Sequence, residues 1–256
     1  MAGYRSYSYD QYKMAIDMYK DGFKLSEISR RLGVKKRTVE DWIYEGKKPW
    51  LARWHPEPSV RLAYVIGVLL GDGCLVKPRR NIYEVELKVR DYEFAKEFSR
   101  AMSILLGKKY KEPEWSKVSN RWRVYYRSKA FYTWYKQQTL ETLKKYIEYD
   151  KETVANFLKG IYDSDGCNYK CKRIHLYNNN LTLLYYVQYL LKKYFNIIST
   201  GPYINVRAGT ICITKERDII KTNRNNYRID ISRKRDLQSF LNNIGFSILK
   251  KQYGIA

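Results

Sequence analysis

The chain has 256 residues, of which 45% are hydrophobic and 16% aromatic, so a wholly disordered protein is excluded. Basic residues (49) outnumber acidic ones (26), and the formal net charge of +23 predicts a polyanionic partner, nucleic acid before a membrane surface. The longest apolar run, residues 62 to 71, is too short to cross a bilayer, and the first residues lack the features of a signal peptide. We therefore expect a cytoplasmic protein.

Residues 1 to 48 are predicted to form a small all-α helix-turn-helix domain. A helical pattern ends at Asp21-Gly22, a second helix begins at Ser26, and Gly33 makes a turn before a third helix over residues 36 to 44. The first residues of such a third helix contact base edges in DNA-binding proteins. The predicted DNA contacts are Lys35, Lys36, Arg37 and Thr38. The alternative is a generic three-helix cap with a solvated basic face.

Residues 49 to 58 are predicted to be a linker, because three prolines prevent a continuous helix. The second predicted domain covers residues 59 to 256. It divides into two repeats, residues 59 to 150 and 151 to 256, that follow one plan.

Each repeat opens with an apolar helical run that ends in Asp-Gly: residues 65 to 73 and residues 158 to 166. Small residues stand four apart in each run, so one face of each helix has almost no side chains and the helices can pack closely. These residues are Gly67 and Gly71 in the first run, and Gly160 and Ser164 in the second. We expect the glycine after each acid to take the left-handed conformation that often ends a helix.

This packing would place Asp72 and Asp165 side by side at two helix ends. Helix C-termini carry partial negative charge, so two added carboxylates repel each other unless a cation lies between them. Oxygen ligands suit Mg²⁺ or Mn²⁺, and the predicted metal site comprises Asp72, Asp165 and the preceding residues Gly71 and Ser164. The alternative, two ordinary Asp-Gly helix ends, does not explain why the pattern occurs twice.

Both runs resemble the LAGLIDADG motif. The second run matches it at Leu158, Gly160, Ile161, Asp163, Asp165 and Gly166. The first run keeps Gly67, Asp72 and Gly73, but has Leu70 at the position of the motif's first acid. From about residue 59 onward, the chain resembles the homing endonucleases of this family in their two-motif, single-chain, archaeal intron-encoded form.

The resemblance implies a site-specific double-strand DNA endonuclease of intron homing, with a metal-binding acid in each repeat, Asp72 and Asp165. It also implies a catalytic role for Arg90, which lines up with a lysine in archaeal intron-encoded relatives; its counterpart in the second repeat would be near Asn178. Because Leu70 replaces an acid in the first motif, we expect Asp163 not to be a shared requirement of the two repeats.

The rest of each repeat alternates strands with helices, so the predicted fold is α+β: tandem αββαββα repeats related by a pseudo-twofold axis. Alternating residues give each sheet an apolar face for the helices and a polar face for phosphates and bases, which together form a DNA-binding saddle. The predicted DNA contacts of the first repeat are Lys77, Arg79, Arg80, Glu86, Lys88, Arg121, Arg123, Tyr125 and Arg127. Those of the second are Lys170, Lys172, Arg173, His175, Arg207, Arg228 and Asp230.

The expected partner is double-stranded DNA with a long pseudo-palindromic target, bound by a monomer. Two alternatives share the fold: a catalytically silent DNA-binding regulator and an RNA-splicing maturase. Regulators of this kind usually have degenerate acids and a helix-turn-helix domain that comes last, unlike this chain. The sequence leaves the maturase open.

Overall fold

The computed structural model describes residues 7–49, 54–213 and 219–255. The predicted linker lies partly outside these ranges, at residues 50–53, and so does a polar insertion that the sequence indicates at about residues 215 to 226, at residues 215–218. The chain divides into two compact units. The first contains residues 1–56, 77–84 and 127–137, and the second contains residues 57–76, 85–126 and 138–256. The predicted domain boundaries stay a prediction.

The first unit begins with three helices, α1 (Tyr9–Lys20), α2 (Leu25–Leu32) and α3 (Lys36–Ile43). Ser8 caps α1, and Gly33 ends α2 in the left-handed conformation (φ 62°) that makes the turn to α3. The three helices share an apolar core, which consists of Ala15, Ile28, Val34, Val39 and Trp42. The predicted order of helix, glycine turn and helix is confirmed.

The first repeat contains α4 (Val60–Leu70), β1 (Cys74–Val76), β2 (Glu84–Val89), α5 (Tyr92–Leu105), β3 (Glu114–Ser116), β4 (Arg121–Arg127), α6 (Lys129–Lys136) and α7 (Leu140–Ile147). The residue pattern alone indicates a helix over about residues 129 to 138 that ends near residues 143 to 145. Instead, Thr139 caps a separate helix, α7, by accepting a hydrogen bond from the Thr142 N–H.

The second repeat contains α8 (Lys151–Asp165), β5 (Gly166–Tyr169), β6 (Arg173–Asn178), α9 (Leu181–Phe195), β7 (Thr200–Val206), β8 (Ile211–Ile213), β9 (Ile219–Lys221), β10 (Asn226–Ile231), α10 (Lys234–Asn243) and α11 (Leu249–Tyr253). The small β8–β9 hairpin was not expected from the sequence, because strands of three residues carry almost no periodicity.

The two four-stranded sheets have matching strand orders, β1-β2-β4-β3 and β5-β6-β10-β7. In each sheet the first, second, fourth and third main strands of the repeat lie side by side, which confirms the predicted α+β fold with one plan per repeat. The buried strand residues, such as Val85, Leu87, Ile174 and Leu176, form the apolar sheet faces. Within the described residues, no helix is long and apolar enough to cross a membrane.

Candidate active site at the paired helix ends

Helices α4 and α8 pack backbone against backbone through their small residues. A Cβ atom on Gly67 would lie 2.3 Å from the carbonyl oxygen of Phe157, and one on Gly160 would lie 2.3 Å from that of Tyr64. A real Cβ cannot approach a carbonyl oxygen so closely, so both positions require glycine. The predicted close packing of the two motif helices is therefore confirmed.

Helix α8 ends at Asp165, and α4 ends at Leu70, two residues before Asp72. The glycines that follow the two acids do not have the predicted backbone conformation. Gly166 has a φ of −88°, and Gly73 is not among the residues with positive φ. A Cβ on Gly166 would lie 2.3 Å from the Tyr162 carbonyl oxygen, and one on Gly73 would lie 2.9 Å from a methyl group of Leu69. The expectation of left-handed glycines was wrong. Gly166 is needed because the chain turns back tightly against its own helix, whereas a side chain at Gly73 would require the Leu69 side chain to move.

The helix ends bring Asp72 and Asp165 into electrostatic contact. The pKa of Asp165 is raised to about 6, mainly by burial and also by the neighbouring charge of Asp72. A hydrogen bond from Asn178 Nδ2 (2.8 Å) and the charge of Lys251 oppose this rise. The Asp72 side chain reaches solvent, yet desolvation at the crowded helix ends also raises its pKa. Both carboxylates are thus destabilised in their charged forms.

This donor set fits a hard divalent cation. Two carboxylates come from different helices, they repel each other, and both regain stability in the charged form when a positive ion lies between them. Gly71 and Ser164 also meet here, since a Cβ on Gly71 would lie 2.4 Å from the Ser164 Cβ. No cluster of three or more His, Cys, Asp or Glu side chains occurs among the described residues, so water and substrate oxygens would complete the coordination.

Lys251 of α11 lies at the same site, and the sequence pattern did not identify it as a candidate. Its Nζ donates to the carbonyl oxygens of Asp163 (2.6 Å) and Tyr162 (3.4 Å) near the end of α8. Burial lowers the pKa of Lys251, and its charge lowers the pKa values of both Asp72 and Asp165. It is therefore a cation shared by the two acids.

The sequence signal for Lys251 was the Leu-Lys-Lys triplet that occurs near the end of both repeats. In the first repeat, however, Lys144 pairs with Glu141 (2.7 Å) and Lys145 lies over the Tyr146 ring. The triplet therefore indicates the segment that carries Lys251 in the second repeat, but the lysines of the first repeat have other partners.

Asp163 has a structural role that its position in the motif does not indicate. Its carboxylate accepts hydrogen bonds from the Tyr64 hydroxyl (3.0 Å), the Ser247 backbone N–H (2.8 Å) and the Ser247 hydroxyl (2.5 Å). Burial raises the pKa of Asp163 to about 6 despite these donors. Asp163 thus holds the segment that leads into α11 and, through it, Lys251. Its absence from the first repeat agrees with a role confined to the second.

Comparison with known proteins identifies this arrangement. Residues 152–245 match the LAGLIDADG-like domain model, and residues 61–130 match the WhiA LAGLIDADG-like domain model. The crystal structure of the homing endonuclease I-DmoI with DNA and Mn superposes with a TM-score of 0.51 and 23% identity, covering 74% of this chain and 98% of that one. The chain has a two-motif, single-chain LAGLIDADG fold.

Two further comparisons show what the chain is similar to. I-DmoI with DNA and Ca gives a TM-score of 0.51 and 23% identity, over 74% of this chain and 91% of that one. An uncharacterized protein of Methanocaldococcus jannaschii is 37% identical over 137 residues, 50% of this chain and 51% of its own length. The chain therefore aligns with about half the length of that relative.

On the polar face of the first LAGLIDADG sheet, a buried acid organises the predicted DNA contacts. Glu86 is 1% exposed; Arg123 donates to it (2.8 Å) and Lys88 pairs with it (2.5 Å). Burial would raise the pKa of Glu86, but these two cations outweigh it and lower the value. The guanidinium of Arg123 also lies over the Tyr125 ring. Similarly, Arg127 donates to the buried Glu84 (2.8 Å).

The second sheet also has a buried acid that holds basic side chains, but with different residues. Asp230 and His175 face each other across β10 and β6, and His175 Nδ1 lies 2.6 Å from Asp230 Oδ1. Arg228 forms an ion pair with the same oxygen (2.9 Å). His175 is 9% exposed and Asp230 5% exposed. Glu86, His175 and Asp230 were predicted as DNA contacts, and each is covered by its partners; their part in DNA binding stays a prediction.

The other predicted contacts are mostly exposed. Exposed positions are Lys77, Arg79, Arg80, Arg121, Lys170, Lys172, Arg173 and Arg207. At the start of α3, Lys35, Lys36 and Arg37 are exposed and Thr38 is half-buried; Lys36 and Arg37 pair with Glu40 (4.0 Å) and Asp41 (3.4 Å). Arg90 is an exposed residue directly after β2, and its catalytic role stays a prediction. An open cleft of about 370 Å³ adjoins Asp165 and is lined by Asn178, Asn179, Asn180 and Asn226, among others.

Proposed function

We propose that the chain is a site-specific, metal-dependent double-strand DNA endonuclease that uses one acid from each repeat. The observation that carries this proposal is the site itself: Asp72 and Asp165 lie at two tightly packed helix ends with Lys251 acting on both. Carboxylates and a lysine that are desolvated together at one place are typical of functional sites. The intron-encoded origin, a long pseudo-palindromic target and a monomeric state belong to the same proposal.

Different residues of the chain would have different roles in phosphodiester hydrolysis. Asp72 and Asp165 would hold Mg²⁺ or Mn²⁺, which supplies Lewis-acid polarisation of the scissile phosphate and a more acidic bound water. Asn178 fixes Asp165 through its 2.8 Å hydrogen bond. Lys251 places a positive charge where the phosphate's negative charge develops, and its burial strengthens that interaction.

DNA binding is assigned to the arginines and lysines of the two polar sheet faces. Arg123 and Arg228 are each held by a buried carboxylate, so less side-chain entropy is lost when they bind. A guanidinium suits two acceptors of guanine or a phosphate. The three-helix module provides a second contact through the start of α3.

The test is cleavage of a randomised duplex library by the purified full chain, with Mg²⁺, Ca²⁺ or EDTA. We expect cutting at one sequence family with Mg²⁺ and binding without cutting in EDTA. Asp72→Asn and Asp165→Asn should both remove cleavage while DNA affinity persists, because the phosphates meet less negative charge. Asp17→Asn, on an exposed face of α1, is the matched control. Normal cleavage by either site variant would refute the paired-acid site.

A second function, DNA binding without cleavage, is favoured by one observation. Residues 61–130 match a model named for WhiA, and the first motif has Leu70 in place of an acid. The same library distinguishes the two functions. A regulator would select a sequence and leave it uncut with every metal, and Asp72→Asn would not change its binding.

A further inference from the structure

The hairpin turn between β5 and β6 is tied directly to the helix that carries Lys251. The side chain of Asn168 is 8% exposed and uses both of its ends. Its Nδ2 donates to the backbone carbonyl of Lys251 (2.8 Å), and its Oδ1 accepts from the Cys171 backbone N–H (3.0 Å). One amide thus joins the turn to α11 across a sequence separation of 83 residues.

Further contacts hold the same turn against the end of α11. The Cys171 thiol donates to the Tyr253 carbonyl (3.3 Å), and a Cβ on Gly254 would lie 2.6 Å from the Cys171 nitrogen. Lys170 and Cys171 both have left-handed backbones, with φ of 50° and 54°. Two consecutive non-glycine residues rarely adopt this conformation unless surrounding contacts fix it. The turn and α11 therefore hold each other in place.

Lys251 is bridged at both ends as a result. Its backbone carbonyl is bound by Asn168, and its Nζ is bound by the Asp163 carbonyl at the end of α8. Helix α11 has only five residues, too few to be stable by itself. Asn168 also lies three residues after Asp165 on the strand that leaves the site, so its hydrogen bond connects the acid's strand to the lysine's helix.

We propose that Asn168 is a positioning residue for Lys251, and that through it the turn bearing Lys170 and Lys172 sets the place of the lysine amine at the end of α8, where its charge acts on both acids. This inference rests on the proposed nuclease function for its catalytic consequence, but not for its structural content. DNA binding at Lys170 and Lys172 would then affect the position of Lys251 through the two hydrogen bonds of Asn168 and through helix α11.

Two substitutions separate the link from the turn itself. Asn168→Asp keeps the acceptor for Cys171 and loses the donor to Lys251, whereas Asn168→Ala loses both. We expect kcat for duplex cleavage to fall between about 10-fold and 100-fold in both variants, as for a catalytic group misplaced by about 1 Å, with KM changed less than about twofold. The matched control is Asn243→Ala. It removes an exposed hydrogen bond of equal length (2.8 Å) from a side-chain amide to a backbone carbonyl within a helix.

A double variant tests whether the effect acts through the lysine. Lys251→Met alone removes the cation, and adding Asn168→Asp to it should lower kcat no further. Additive losses in the double variant would show that Asn168 acts by another route and would overturn the proposal.

A second measurement needs neither DNA nor activity. Mass spectrometry follows the acetylation rate of individual lysines in the folded full chain. We expect Lys251 to react about tenfold faster in Asn168→Asp than in the wild type, because the loss of one hydrogen bond favours local opening by about that factor. Lys144 should react at the same rate in both proteins. If the wild type cuts no duplex, the proposed function fails, and the labelling still decides the positioning.

Equal Lys251 labelling in wild type and both variants, or a wild-type kcat for Asn168→Asp, would overturn the inference. Urea unfolding establishes which variants are folded, and the comparison uses those. If both Asn168 variants fail to fold while Asn243→Ala folds, Asn168 is needed for folding itself and the positioning role is refuted.

Discussion

Replacing Asp165 by Asn should stabilise the metal-free protein at the same time as it removes cleavage. Burial raises the pKa of Asp165 from its ordinary 3.8 to about 6, so the charged carboxylate costs free energy in the folded state. The folded protein binds this proton more tightly than the unfolded chain does. The group's contribution to stability is therefore complete below pH 3.8, and it is lost as the pH rises through 6. The shift of about two units corresponds to roughly 3 kcal/mol above pH 7, an upper bound because one side of the carboxylate faces water.

The assay is urea unfolding in EDTA at pH 4 and pH 8. At pH 8, Asp165→Asn should unfold at a higher urea concentration than the wild type, because its free energy of unfolding is higher by up to about 3 kcal/mol. At pH 4 the free energies of unfolding of the two proteins should be nearly equal. Asp17→Asn, on the exposed face of α1, should differ from the wild type by no more than about 0.5 kcal/mol at both pH values. Equal stability of Asp165→Asn and wild type at pH 8 would refute the desolvation argument, whatever happens to cleavage.

Three other predictions concern packing and binding. Gly67→Ala and Gly160→Ala should each lower the free energy of unfolding by about 3 kcal/mol in thermal or urea unfolding, because the new methyl group meets a backbone oxygen of the facing helix; a loss below about 1 kcal/mol would contradict the close contact. DNA affinity should fall with salt at a log-log slope steeper than about −3, and a shallower slope would count against binding by the basic sheet faces. Deleting residues 1 to 50 keeps Trp54, which packs on Phe131, so cleavage should persist while affinity in a filter or mobility assay falls; unchanged affinity would assign the helical module another role.

Local pattern was sufficient to predict the paired helices and their acids. Glycines four apart on an apolar run determine which face can approach another backbone, and Gly67 and Gly160 do lie at that contact. The end of each helix follows from the same pattern, so Asp72 and Asp165 could be placed together. The exact backbone at the following glycines could not, because a tight return against the chain's own helix leaves the same Asp-Gly signature as a left-handed cap.

What the sequence could not predict depends on partners far away in the chain. In the sequence, Glu86 looks like a polar strand residue on an open face, but Arg123 from another strand helps to cover it. Lys251 reads as one surface lysine among many, since its position depends on Asn168 and Asp163 more than 80 residues earlier. Such contacts have no periodicity that a linear pattern could show.

The lysine's asymmetric origin gives the site a direction. Lys251 comes from the second repeat, while Lys144 and Lys145 of the first repeat are engaged with Glu141 and Tyr146. A duplex bound across two such unequal halves would have its strands cut at different rates. The slower cut would follow a nicked intermediate, and the identity of the first broken strand would reveal which way round the protein lies on an asymmetric target.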